Sequence, residues 1–147
     1  MSTIVVGVDG SEPSAEALVY ALRQARLEGG DIRAVTAWHI PAVSYGGPGA
    51  APLVNLNEAF EEDAQAISRD ALKAVGNDAA GIDIHAIVRE GHPAKVLLDE
   101  AASADLLVLG SRGLGGFAEL LLGSVSHECA QHATCPVVIV HRPKERE

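Results

Sequence analysis

Positive charge is scarce in this chain. Of 147 residues, 11 are Lys or Arg against 20 Asp or Glu, a formal net charge of −9. Proteins that grip nucleic acid through its phosphates carry a basic surface, so that class is disfavoured. An anionic ligand must then be held by local backbone donors, not by the overall field. Long apolar runs are also missing: Leu106–Leu109 and Pro136–Val140 fall far short of the ~20 residues of a membrane span. Residues 1–10 show no basic stretch leading into an apolar core and a cleavage site, so no secretory leader is expected. Cysteine is limited to Cys129 and Cys135, which form neither a CxxC pair nor a disulfide framework. The favoured reading is a reduced, cytoplasmic protein in which both thiols are small buried groups, with a redox pair as the less favoured alternative.

What is present is ordinary globular material, 48% hydrophobic and 21% charged, enough for one core without metal or disulfide staples. The apolar pattern alternates between short β-branched runs and helical spacing. Thr3–Val8 reads as a buried strand that breaks at Asp9-Gly10-Ser11. Ser11–Glu28 reads as a helix with Ser11 as cap, Pro13 in the first turn, a stripe of Ala17, Leu18, Ala21, Leu22 and Ala25, and a stop at Gly29-Gly30. Asp31–Trp38 is a second strand. Residues 40–55, with three prolines and three glycines, form a loop. Asn57–Val75 is helical, with Ala59, Phe60, Ala64, Ile67, Ala71, Leu72 and Val75 toward the core. Ile82–Val88 alternates as an edge strand. Gly91-His92-Pro93 opens a helix running to Ala102, Asp105–Leu109 is a central strand, Ala118–His132 a helix and Pro136–His141 the last strand.

Strands alternating with helices predict an α/β fold: one open, doubly wound, Rossmann-like sheet of five mainly parallel strands with helices on both faces, in the order 3-2-1-4-5. Residues 1–142 form this single domain and 143–147 a charged tail. Ligands of such sheets bind beyond the carboxyl ends of the strands where the winding reverses. Strand 1 beside strand 4 would bring Asp9-Gly10-Ser11 against Gly110-Ser111-Arg112-Gly113-Leu114-Gly115-Gly116, the densest glycine cluster in the chain. Glycines let several N–H groups turn toward one anion. Gly123-Ser124-Val125-Ser126 then adds a helix N-terminus with free amides and hydroxyls. Together these segments describe a phosphate cradle. Taken singly, each has a plainer alternative, Gly10 as a turn residue, Arg112 as a surface charge and Ser124 as a helix cap. Asp9, an acid facing the crevice from a central strand end, is the strongest single candidate, with a helix cap as its alternative.

Better-known motifs fail. No lysine lies in the glycine loop, so there is no P-loop. Gly113–Ala118 satisfies GxGxxA formally, but a single strand follows where a dinucleotide fold needs a further half. The residue two before Ser111 is Leu109, so a nucleophile elbow is excluded. His39, His85, His92, His127, His132 and His141 show no metal-ligand spacing, and no metal site is expected from them.

The spacing Gly110-x2-Gly113-x9-Gly123-Ser124 resembles the nucleotide-binding signature of the universal stress protein family. The resemblance extends through Ile4–Ser11, Gly91-His92-Pro93, Ala104–Gly113, Gly123–Ser126 and Cys135–Val140. It implies an ATP-binding, nucleotide-dependent regulatory protein of the stress response. By motif position Asp9 and Gly10, with Ser11, approach the nucleotide from the first loop. Gly110, Ser111, Arg112, Gly113, Leu114, Gly115 and Gly116 wrap ribose and phosphates. Gly123, Ser124, Val125 and Ser126 donate to phosphates, and Val35 and Ala37 flank the adenine. The family also implies a homodimer through the last strand. The apolar run Val137–Val140, expected at a sheet edge, independently invites pairing with a second copy.

Two other readings stay open. One is a slow ATPase in which Asp9 holds Mg²⁺ through water and Arg112 or His127 touches phosphate; with no convincing general base, fast turnover is not expected. The other is an interaction module of the same fold that binds no nucleotide.

Overall fold

The computed structural model describes residues 2–40, 56–112 and 122–141. Five strands, β1 (Thr3–Gly7), β2 (Asp31–Trp38), β3 (Ile84–Glu90), β4 (Leu106–Gly110) and β5 (Val137–Val140), pair in the order β3-β2-β1-β4-β5. All four pairings are parallel. Among the described residues, four α-helices lie between them: α1 (Glu12–Glu28), α2 (Leu56–Val75), α3 (Pro93–Ala101) and α4 (Ser124–His132), with a short 3-10 turn at Gly76–Ala79. The fold class and strand order are those expected from the sequence.

The central strand explains the arrangement. Ile4, Val5 and Val6 are each fully buried, because consecutive side chains on a strand face opposite sides and both sides are covered. Ile4 and Val6 join Ala17, Leu18, Ala21 and Leu22 of α1 in one core, with Ile67, Leu72 and Val75 of α2 packed against it. Val5 joins Val35, Leu107, Leu109, Val96, Leu97 and Cys129 in a second core beneath α3 and α4. Each fully buried Val, Leu or Ile contributes about 1.5–3 kcal/mol.

α1 begins and ends where its sequence directs. The Ser11 hydroxyl accepts the Ser14 N–H at 3.3 Å, and Pro13 sits in the first turn. Gly29, at φ 73°, donates its N–H to the Ala25 carbonyl at 2.8 Å and ends the helix. A left-handed residue at this position is cheap only for glycine.

Small shifts from expectation occur at β1 (to Gly7, not Val8), α2 (from Leu56, not Asn57), α3 (to Ala101, not Ala102), β4 (Leu106–Gly110, not Asp105–Leu109) and β5 (Val137–Val140, not Pro136–His141). Three further differences are larger. β3 runs Ile84–Glu90, not Ile82–Val88, because the Ile82 N–H closes a turn onto Ala79 and Trp38 pairs as far as Glu90. The last helix starts at Ser124, not Ala118: Gly123 is extended (φ −74°, ψ 172°) and precedes the first turn, while residues 118–121 lie outside the described residues. In α2, Ala59 is exposed, so the buried stripe starts further along, at Ala64. The expected loop falls outside the described residues except for Ile40, and so does the tail 143–147.

Candidate functional site

The strand order sets β1 against β4, so the carboxyl ends of these two strands share one edge of the sheet. Beyond β1, the Asp9 carboxylate accepts through Oδ1 from both the Ser11 N–H, at 2.9 Å, and the Ser11 hydroxyl. The Ser14 hydroxyl in turn accepts the Asp9 N–H at 3.3 Å. Oδ2 of Asp9 has no partner among the described residues. Gly10, at φ 85°, turns the chain here, with Ile67 of α2 in ordinary contact distance of a side chain placed on it.

Beyond β4, close approach of backbones requires a glycine. A Cβ on Gly110 would lie 2.7 Å from Pro13 Cβ and 2.8 Å from the Ser14 nitrogen. The tip of β4 therefore rests directly on the first turn of α1. Ser111 follows, only 2% exposed, and pins the crossing. Its N–H donates to the Val140 carbonyl at 2.9 Å, while its carbonyl accepts the Gly123 N–H at 2.6 Å and the Ser126 hydroxyl at 2.8 Å. α4 is thereby tied by its first turn to the end of β4.

The two helix N-termini beside this edge differ in kind. α1 carries Glu12 in its first turn, a side-chain cap from Ser11 and the nearby Asp9 carboxylate. Its positive end is already answered by the chain itself. α4 has no acidic residue in its first turn and no side-chain cap. The amides of Ser124, Val125 and Ser126 meet no acceptor among the described residues. A helix N-terminus in that condition favours an anion.

The remaining site residues expected from sequence divide as follows. Ser124 is exposed and Val125 half-buried, both at the open end of α4, and Arg112 is half-buried after Ser111. Val35 is buried in the second core and its carbonyl accepts the Val8 N–H at 2.8 Å, so its side chain faces packing. Ala37, half-buried, lies on the same side. Gly113, Leu114, Gly115 and Gly116 lie outside the described residues. The sequence missed the part played by Ser111 and Ser126, whose polar groups fasten α4 to β4. No local signal marks that, since the partners are 15 residues apart and meet only after β4 is in the sheet.

The sequence of residues 1–141 matches the model of the universal stress protein family. The chain belongs to the universal stress protein family. A universal stress protein of Mycolicibacterium smegmatis is 36% identical over 96% of this chain, which spans 46% of that relative's length. One from Methanocaldococcus jannaschii is 34% identical over 97% of this chain and 83% of the relative. The chain thus equals about half of some curated relatives and most of others. Among solved structures, the fold is similar to that of a universal stress protein of Lactobacillus plantarum (TM-score 0.75, 23% identity, 95% and 97% of the two chains covered). It is also similar to a universal stress protein solved in complex with cAMP (TM-score 0.71, 29% identity, 97% and 98% covered).

Both thiols are free, Cys129 buried and Cys135 half-buried. Burial, and secondarily the Glu128 carboxylate, pushes the Cys129 thiol up to about 11. Cys135 is raised in the same direction, first by burial. Thiols held protonated are poor nucleophiles. Among the described residues no group of three or more His, Cys, Asp or Glu side chains is arranged to hold a metal, and no helix is long and apolar enough to cross a membrane.

Proposed function

We propose that this universal stress protein binds an adenine nucleotide, ATP by preference, across the carboxyl ends of β1 and β4, and that occupancy regulates its partners in a cytoplasmic stress response. The observation that carries the proposal is the first turn of α4: it has no acid, its three amides meet no acceptor among the described residues, and Ser111 fastens it to the strand end where the glycine signature begins. The phosphates sit on Ser124, Val125 and Ser126 amides, with Arg112 and the signature residues Gly113, Leu114, Gly115 and Gly116 as further contacts. The unused Oδ2 of Asp9 accepts from a ribose hydroxyl or holds a water of Mg²⁺. The relative solved with cAMP, 29% identical to this chain, supports an adenine ligand. Ser111 and Ser126 also act in this reading as struts, the Ser111 amide and carbonyl and the Ser126 hydroxyl being engaged within the fold.

The decisive variant is Ser124→Asp. A carboxylate at an exposed first-turn position suits the helix dipole and leaves stability unchanged or slightly raised. The same carboxylate repels a polyphosphate, so calorimetry should show ATP affinity falling at least roughly tenfold, about 1.4 kcal/mol. Unchanged affinity, with the fold intact, overturns the assignment. Titrations with ATP, ADP, AMP and cAMP rank the ligand, and a single-turnover assay reads hydrolysis.

The homodimer belongs to the same reading. β5 is an outer strand whose four residues are all partly exposed and apolar, whereas the opposite edge, β3, presents exposed His85, Arg89 and Glu90. Charged edges resist pairing and apolar ones invite it. Sedimentation as a monomer at micromolar concentration refutes the dimer.

A further inference from the structure

Two histidines that lie 53 positions apart in the chain meet at the carboxyl edge of the sheet, on the α3 side. His39 follows β2, and His92 follows β3 and caps α3. Their ring centres are 5.7 Å apart and their planes are inclined at 34°. The backbone beneath them is fixed. The Gly91 N–H donates to the Trp38 carbonyl at 2.7 Å, and the His92 carbonyl accepts the Val96 N–H at 3.0 Å. Pro93 restricts the turn into the helix. Both residues are exposed, and neither ring has a hydrogen bond or ion pair among the described residues.

We propose that His39 and His92 together bind a divalent transition-metal ion of borderline softness, with Zn²⁺ as the type case and water completing its coordination. Imidazole is a preferred ligand for such ions. A metal bonded to one nitrogen of each ring at about 2.1 Å lies about 3.2 Å from each ring centre. The observed 5.7 Å separation is then spanned at a nitrogen–metal–nitrogen angle of roughly 125°, which modest rotation of either exposed ring brings to the tetrahedral value. Hard ions such as Mg²⁺ gain nothing from two imidazoles, so the site is distinct in chemistry from the phosphate cradle. With two protein ligands it is an open site, free to exchange its metal or to accept a further ligand. The proposal does not depend on the nucleotide reading.

The test uses the full chain, freed of metal by chelator and titrated calorimetrically with ZnCl₂ alone. One equivalent should bind, and His39→Ala or His92→Ala should each weaken it at least roughly tenfold, with melting temperatures unchanged because both side chains are exposed. His85→Ala, at the start of β3 beside Asp31, should leave the isotherm as it was. The spectrum of bound Cu²⁺ should show two nitrogen ligands in the parent and one in each single variant. A stoichiometric site that survives His39→Ala with His92→Ala, or no Zn²⁺ bound by the parent, overturns the proposal.

Discussion

Replacing Gly110 by alanine adds one methyl group where the fold has no room for it. The new Cβ would lie 2.7 Å from both the carbonyl carbon and the Cβ of Pro13, and 2.8 Å from the Ser14 nitrogen. Carbon atoms in contact prefer about 3.5–4.0 Å, so β4 and the start of α1 must part by most of an ångström. Neither can yield by rotating a side chain, since two of the three atoms are backbone and the third belongs to a proline ring. Overpacking of this kind costs about 1–3 kcal/mol, at the upper end where the backbone must move. At about 2–4 °C per kcal/mol for a chain of this size, the melting temperature should fall by roughly 6–12 °C. Gly7→Ala is the control. Its Cβ would lie 2.9 Å from Leu109 Cδ2 and 3.3 Å from Leu97 Cδ1, the far ends of flexible side chains, and should cost about 1 kcal/mol. Urea unfolding followed by Trp38 fluorescence and circular dichroism ranks the two. If Gly110→Ala proves no more costly than Gly7→Ala, then β4 does not rest on α1 as described.

Two further substitutions test the interior. Thr36 is 2% exposed, and its hydroxyl has no partner among the described residues. Thr36→Val keeps the shape, removes the stranded donor and should stabilise the protein by about 1 kcal/mol, read as a higher urea midpoint; a loss of 1 kcal/mol shows that the hydroxyl is bonded. Cys129 supplies a pH signature. Its thiol titrates near 9.0 when free and near 11 in the fold, so the unfolded chain sheds its proton first. Its share of stability is complete below pH 9 and is lost as pH rises from 9 through 11. Cys129→Ala should flatten the unfolding free energy over that interval relative to the parent, and identical slopes refute the assignment.

The topology was legible because each signal behind it is local. Thr3–Val8 is β-branched, Ser11 and Pro13 open a helix, and Gly29 closes it, so the alternation of strand and helix follows from neighbouring residues alone. Boundaries failed where a distant partner decides them. Ile82 has strand character, but the turn onto Ala79 removes it from the ladder, and Trp38 extends β3 at the other end. The candidate site shows the same division. The glycine spacing marks which segments converge, but not that the Gly123 amide is used up on the Ser111 carbonyl and the Ser111 amide on Val140 of β5. The meeting of His39 and His92 leaves no trace in sequence, because it arises only from the pairing of β2 with β3.

A chain carrying a net charge of −9 meets an obstacle in binding a polyphosphate, and its two helix ends divide that difficulty between them. At α1, Asp9, Ser11 and Glu12 occupy the positive pole, which builds a rigid turn and leaves one carboxylate oxygen over. At α4 no described residue answers the pole. A uniformly basic site would draw any polyanion, nucleic acid included. On the proposed reading, a helix end left unanswered by the described residues, with a carboxylate at the neighbouring strand end, favours a ligand with phosphates at one end and hydroxyl donors at the other over a plain polyanion. On that reading the preference is what the acidity of the chain supplies. Raising salt should therefore weaken nucleotide binding far less than the steep loss seen for proteins that bind nucleic acid through many phosphate contacts. A comparably steep loss for ATP would place the anchoring charge on exposed Lys or Arg, not on the amides of α4.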